Sequence, residues 1–95
     1  QVGRKHDATD LENGVADQTR QAILNIKAVL AEKNLTLDNV VKSTVFLADM
    51  NDFAEMNAVY AEFFDEDTAP ARSTVQVAGL PLNAEMEIEV MASLD

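Results

Sequence analysis

Val15, Thr19, Ala22, Ile23, Ile26, Val29 and Leu30 recur at three- and four-residue spacing, while Asp17, Gln21, Lys27 and Glu32 fall mostly outside that stripe. This period predicts an amphipathic helix over 14–33. Asn13 is placed to cap its start, Lys33 suits the negative end of its dipole, and Asn34 tolerates the left-handed conformation in which many helices stop. The preceding residues 1–14 are polar and aperiodic, which predicts a loop.

After a turn at Thr36-Leu37-Asp38-Asn39, the β-branched run Val40–Leu47 predicts a strand. Val41, Val45 and Leu47 are assigned to one face, with Lys42, Thr44 and Phe46 on the other, which is mixed rather than fully solvated. Phe53, Met56, Tyr60, Phe63 and Phe64 return to the helical period and predict a second helix over about 51–64, with Asp52 in its first turn. Beyond the acidic Asp65-Glu66-Asp67 and Pro70, segments 72–78 and 85–93 alternate with the two-residue period of strands. The connection Leu80-Pro81-Leu82-Asn83 is short and predicts that these two pair antiparallel. The order is α-β-α-β-β. Helices this apolar on one side need more than three strands to cover them, so further sheet is expected ahead of Gln1.

Ninety-five residues make one small domain. A chain this short buries only about two-thirds of its unfolded surface, so oligomerisation is an expected source of stability, and without cysteine no disulfide can supply it. Seven basic against seventeen acidic residues give a net charge of −10. Such a chain repels nucleic-acid phosphates and anionic lipid, so neither partner is expected. No apolar run reaches transmembrane length and the N-terminus does not read as a signal peptide, which makes the cytoplasm the default location.

Several chemistries fall away. There is no thiolate, no pair of histidines for a metal and no glycine-rich phosphate loop, so neither thiol chemistry nor a metal site is expected. His6 reads as a loop histidine. Asn34-Leu35-Thr36 matches the glycosylation tripeptide by chance, and Asp65-Glu66-Asp67 reads as a solvated turn lacking the ligand spacing of a calcium loop.

From Ser43 onward the chain is acidic, with Arg72 its one base. Parity puts Ser73, Val75 and Val77 toward the helices and Arg72, Thr74 and Gln76 on the opposite face. There they share the sheet surface with Glu85, Glu87, Glu89 and Met91, since Met86, Ile88, Val90 and Ala92 form the helix-facing set of the last strand. One reading is an ordinary cross-strand ion pair. The other is an anion site, because a guanidinium fork matches a carboxylate. In the hairpin register Glu87 pairs near Gln76, roughly 13 Å from Arg72 at about 3.3 Å per residue, too far for one small ligand within one chain. Arg72 can still meet a neighbouring chain's Glu87 if the sheets pack side by side, a contact that would also cover Phe46. Asn57, in a helical row with Phe53, Tyr60 and Phe64, reads either as a backbone-bonded amide at the stripe edge or as a residue facing the site.

The segments Asp17–Gln21, Asn25–Leu30, Val40–Leu47, Asp49–Phe53, Asn57–Tyr60 with Phe63-Phe64, Pro70–Ser73, Leu80-Pro81 and Met86–Glu89 together resemble the Rid family of reactive-intermediate deaminases, also called YjgF-like proteins. The resemblance runs through nearly the whole chain. Similar proteins begin with about thirty more residues forming a hairpin that ends in Ser-Gly-Gln, of which Gln1 alone is here; lacking it would bare a sheet edge. A ligand-facing tyrosine of the family belongs to that region. Many relatives carry Cys where this chain has Thr74, so thiol-dependent behaviour does not transfer.

The resemblance implies a chorismate-mutase-like α+β subunit in a homotrimer, its three sheets facing inward and its sites between subunits. It implies hydrolysis of 2-imino acids such as 2-iminobutanoate and 2-iminopropanoate, tautomers of enamines, to 2-oxo acids and ammonia without a cofactor. On that reading Arg72 holds the substrate carboxylate, Glu87 positions or deprotonates water, and Thr74 and Asn57 line the site. The competing readings are a non-catalytic trimer that binds 2-oxo acids or partner proteins, and an Arg72–Glu network that only stabilises the trimer.

Overall fold

The computed structural model describes residues 1–5 and 10–94. His6 lies outside the described residues. Helix α1 (Gly14–Ala31) is followed by strand β1 (Val40–Leu47), helix α2 (Phe53–Phe63), strand β2 (Ala71–Gln76) and strand β3 (Met86–Ala92). The α-β-α-β-β order therefore holds, and the fold is α+β with both helices' apolar residues packed into one core against β1 and β3.

Helix α1 buries Val15, Thr19, Ala22, Ile23, Ile26 and Leu30 as its period requires. Val29 departs from the stripe and is exposed. Asn13 stands at the N-cap but its side chain makes no capping bond. The C-terminus closes on Asn34 at φ 60°. There the Leu35 N–H reaches the Leu30 carbonyl at 2.9 Å and the Asn34 N–H reaches Ala31 at 3.0 Å. This pair of bonds satisfies carbonyls that the helix would leave orphaned, and Leu35 packs on the core beside them.

Strand β1 is central, and the sheet order is β2-β1-β3. The register shifts between Val40 and Lys42. That bulge turns Val41 outward, and Val40 takes the buried place assigned to it. Ser43, Val45 and Leu47 then complete the helix-facing row, while Thr44 and Phe46 are half-buried on the other side. Ile23, Leu47, Met56, Met86, Ile88 and Val45 are the largest apolar side chains removed completely from solvent. Each contributes about 1.5–3 kcal/mol of transfer free energy.

The antiparallel pairing expected between the last two strands does not form. β1 pairs β2 in parallel and β3 antiparallel. Helix α2 is the crossover that returns the chain to lay β2 beside β1, as a parallel pair requires. The connection from β2 to β3 passes a 3₁₀ turn at Pro81–Asn83, in which Leu82 and Asn83 take positive φ, and carries the chain to the far edge of the sheet.

The N-terminal segment is not wholly a loop. Val2 bridges Glu87, and the Gln1 carbonyl accepts the Ile88 N–H at 2.9 Å. Residues 1–2 thus line the edge of β3 that β1 leaves free. Gln18 secures the neighbourhood from the helix, donating to the Glu12 carbonyl at 3.1 Å and accepting the Glu85 N–H at 2.9 Å. Among the described residues, no helix is long and apolar enough to cross a membrane.

Candidate functional site

The parallel register decides which face Arg72 occupies. Arg72 stands opposite Ser43 and Thr74 opposite Val45. Residues directly across a ladder share a face, so Arg72 and Thr74 point to the helix side with Ser43 and Val45. The parity assignment of β2 is thereby reversed. Ser73 and Val75 turn outward with Thr44 and Phe46, and both are exposed.

On the helix side Arg72 meets the row that α2 presents. Its Nη1 donates to Asn57 Oδ1 at 2.6 Å. Its Cζ lies 4.5 Å from the centre of the Tyr60 ring and 5.5 Å from that of Phe53. The Tyr60 and Ser43 hydroxyls are 2.7 Å apart in the buried interior, and Phe64 stacks on Tyr60 at 4.5 Å. Asn57 therefore takes Arg72 as its side-chain partner. Ser43 and the platform role of Tyr60 were missed by sequence reasoning, although the helical row containing Tyr60 was visible.

Two features leave this cluster chemically incomplete. Arg72 is half-buried, yet among the described residues no carboxylate lies within ion-pair distance of it. Thr74 Oγ1 is buried and has no hydrogen-bond partner among the described residues. A partly desolvated cation next to an unsatisfied hydroxyl is an arrangement that an anionic, hydrogen-bonding ligand completes. The cluster lies on an edge strand, since β2 has β1 as its sole neighbour in the described sheet. Its outer edge is open to another chain.

Glu87 is elsewhere. It stands opposite Phe46, three positions along β1 from the Ser43 that faces Arg72, and on the outer surface of the sheet. Two strand spacings sideways and three residues lengthwise separate the two Cα atoms by about 14 Å. The separation anticipated from a hairpin thus stands for a different reason, and the shared face does not: Arg72 and Glu87 of one chain lie on opposite sides of the sheet.

Two grooves among the described residues do not include Arg72. One, of about 470 Å³, runs between Gln1–Lys5 and α1, and the other, of about 230 Å³, lies between Gln1, α1 and β3. Among the described residues no group of His, Cys, Asp and Glu converges to hold a metal ion.

Comparison with known proteins places these features in a family context. The signature of the family described as endoribonuclease L-PSP matches residues 1–94. The RutC family protein slr0709 of Synechocystis sp. is 53% identical over 83 residues, which cover 87% of this chain and 64% of that protein. TdcF of Escherichia coli K12, provisionally designated a reactive intermediate deaminase, is 48% identical over 80 residues, covering 82% of this chain and 62% of that protein. The chain therefore spans less than two-thirds of the length of these relatives. The crystal structure of E. coli TdcF with bound serine superimposes with a TM-score of 0.92 at 40% identity, covering 100% of this chain and 76% of that one. The YjgF gene product of E. coli gives a TM-score of 0.92 at 41% identity, again covering 100% and 76%.

Proposed function

Because the chain belongs to the Rid (YjgF-like) family, we propose that it is a hydrolytic deaminase of 2-imino acids such as 2-iminobutanoate and 2-iminopropanoate. The observation that carries the reading is the half-buried Arg72, held by Asn57 and ringed by Tyr60 and Phe53, with no carboxylate among the described residues to pair with. In a chain of net charge −10 such a cation is a specific receptor for a small anion rather than part of a general attraction. The same charge opposes binding of RNA phosphates, so the ribonuclease in the family's description is not the activity proposed here.

An imine carbon is already electrophilic, so the protein needs to hold the carboxylate, place a water and move protons. Arg72 holds the carboxylate and Thr74 Oγ1, unsatisfied in the free chain, hydrogen-bonds it or the imine side. Water adds to the C=N carbon, its oxygen forming the new C–O bond while its proton passes to the carboxylate of Glu87. Glu87 returns that proton to the nitrogen to give the neutral carbinolamine, then relays the hydroxyl proton to the same nitrogen as the C–N bond breaks and the C=O forms, so ammonia leaves carrying both protons of the water. One water is consumed, and a 2-oxo acid and one ammonia are released.

Since Glu87 of the same chain is on the other side of the sheet, the carboxylate in this scheme comes from an adjacent subunit. A homotrimer with its sites between subunits meets that need. The open edge of β2 and the exposed outer-face residues Val75 and Met91 supply surface for such contacts.

The test pairs ammonia release from freshly generated 2-iminobutanoate with calorimetric titration of 2-oxobutanoate. Arg72→Ala is expected to lose both turnover and binding. Glu87→Gln is expected to lower kcat by about 10²–10⁴, the usual contribution of a positioned proton-transfer group, with binding nearly unchanged. Full activity in either variant refutes the assignment. Saturable binding without ammonia release would instead favour a ligand-sensing module, a reading that the serine-bound TdcF structure makes worth separating.

A further inference from the structure

Resting on the carboxylate-holding role of Arg72, we propose that Tyr60 is a positioning residue that sets the direction of the guanidinium, with Ser43 as its tether. An arginine side chain is long and flexible, so a free one loses rotamer freedom when it grips a ligand. Holding it beforehand removes that cost from binding.

Three observations converge on the Tyr60 ring. Its centre is 4.5 Å from Arg72 Cζ, well inside the limit of about 6 Å for attraction between a cation and a ring face. Its hydroxyl is 2.7 Å from Ser43 Oγ. Ser43 is the residue of β1 directly opposite Arg72 on β2. The ring thus spans one rung of the sheet, its hydroxyl end fixed at one strand and its face under the side chain that leaves the other.

Burial gives the tether its strength. Ser43 is 1% and Tyr60 5% exposed, so each hydroxyl has the other in place of water. Phenylalanine would supply the same platform but leave the serine hydroxyl without this partner, which accounts for a tyrosine at this position. Asn57, three residues earlier on α2, holds Nη1 from the same helical face. One guanidinium N–H is thereby committed, and the fork retains donors for a bidentate carboxylate.

The test compares Tyr60→Leu, which removes the platform, with Tyr60→Phe, which keeps it. Tyr60→Leu is expected to raise the 2-oxobutanoate Kd and the 2-iminobutanoate KM about tenfold, within the range of a desolvated cation–ring contact, with a smaller effect on kcat. Tyr60→Phe, which keeps the ring but cuts its bond to Ser43, is expected to raise both by a smaller factor, about threefold, and a Tyr60→Phe variant equal to wild type would overturn the tether role of Ser43. A wild-type measurement stands apart from any folding defect: the Arg72 Nε–Hε resonance of the ligand-free protein should be displaced by the Tyr60 ring current from the position of a free arginine. A resonance at the free-arginine position, or Tyr60→Leu binding as tightly as wild type, overturns the inference. Wild-type protein that binds 2-oxobutanoate but releases no ammonia overturns the deaminase reading alone. Wild-type protein that binds no 2-oxobutanoate overturns both.

Discussion

Replacing Thr74 by valine keeps the volume of the side chain and removes the hydroxyl that finds no partner in the free chain. A buried polar group left unsatisfied costs about 1–3 kcal/mol, so Thr74→Val should stabilise the unliganded protein by about 1 kcal/mol. For a domain of this size that corresponds to a rise in Tm of about 4–8 °C. The same substitution removes one of the groups offered to the ligand. A lost hydrogen bond to a charged partner costs about 1.5 kcal/mol, or roughly tenfold in Kd. With 2-oxobutanoate at a hundred times the wild-type Kd, linkage adds about 2.7 kcal/mol to wild type and about 1.4 kcal/mol to the variant, whose site is then only tenfold above its Kd. The ligand therefore cancels the variant's lead. Differential scanning calorimetry with and without 2-oxobutanoate reads both numbers. A variant less stable than wild type without ligand would show that the Thr74 hydroxyl is not unsatisfied, and one equally stabilised by ligand would show that it is not part of the site.

Two further expectations concern the frame around the site. A Cβ built at Gly3 overlaps the backbone of Gln18, so Gly3→Ala should detach residues 1–2 from β3. Hydrogen exchange at the Ile88 amide, which donates to the Gln1 carbonyl, should accelerate at least tenfold, and unchanged protection would refute the docking. Arg20 contacts both oxygens of Glu62, at 3.2 and 3.0 Å, on the exposed surface between the helices. Glu62→Gln should therefore cost under about 1 kcal/mol in urea denaturation, and less as salt is added; a larger, salt-insensitive loss would contradict a screened surface pair.

Much of the scaffold could be read from the chain because its signals are local. The β-branched run gave β1 its observed ends, Asn34 marked the stop of α1, and the alternation Met86, Ile88, Val90, Ala92 identified the helix-facing side of β3. The partner of β2 is a tertiary matter, and the shortness of the following connection pointed to the wrong strand. A better signal was the helix between β1 and β2, since a strand, a helix and a second strand is the arrangement that makes parallel neighbours. The face of β2 misled for a related reason. Parity alone favours valines inward, but here Asn57 and the Tyr60 ring give a polar side chain partners on the helix side, and Val75 is left exposed at the edge. Arg72, Thr74 and Asn57 were identifiable as a group, whereas the distance of Glu87 became interpretable only through the observed register.

The parallel crossover also has a bearing on biosynthesis. Ser43, Phe53, Asn57, Tyr60, Arg72 and Thr74 all fall within β1, α2 and β2, one unbroken stretch of polypeptide. A growing chain delivers that whole constellation from the ribosome before β3 is translated, so the parts of the Arg72 cluster can find one another while the opposite flank of the sheet is still being made.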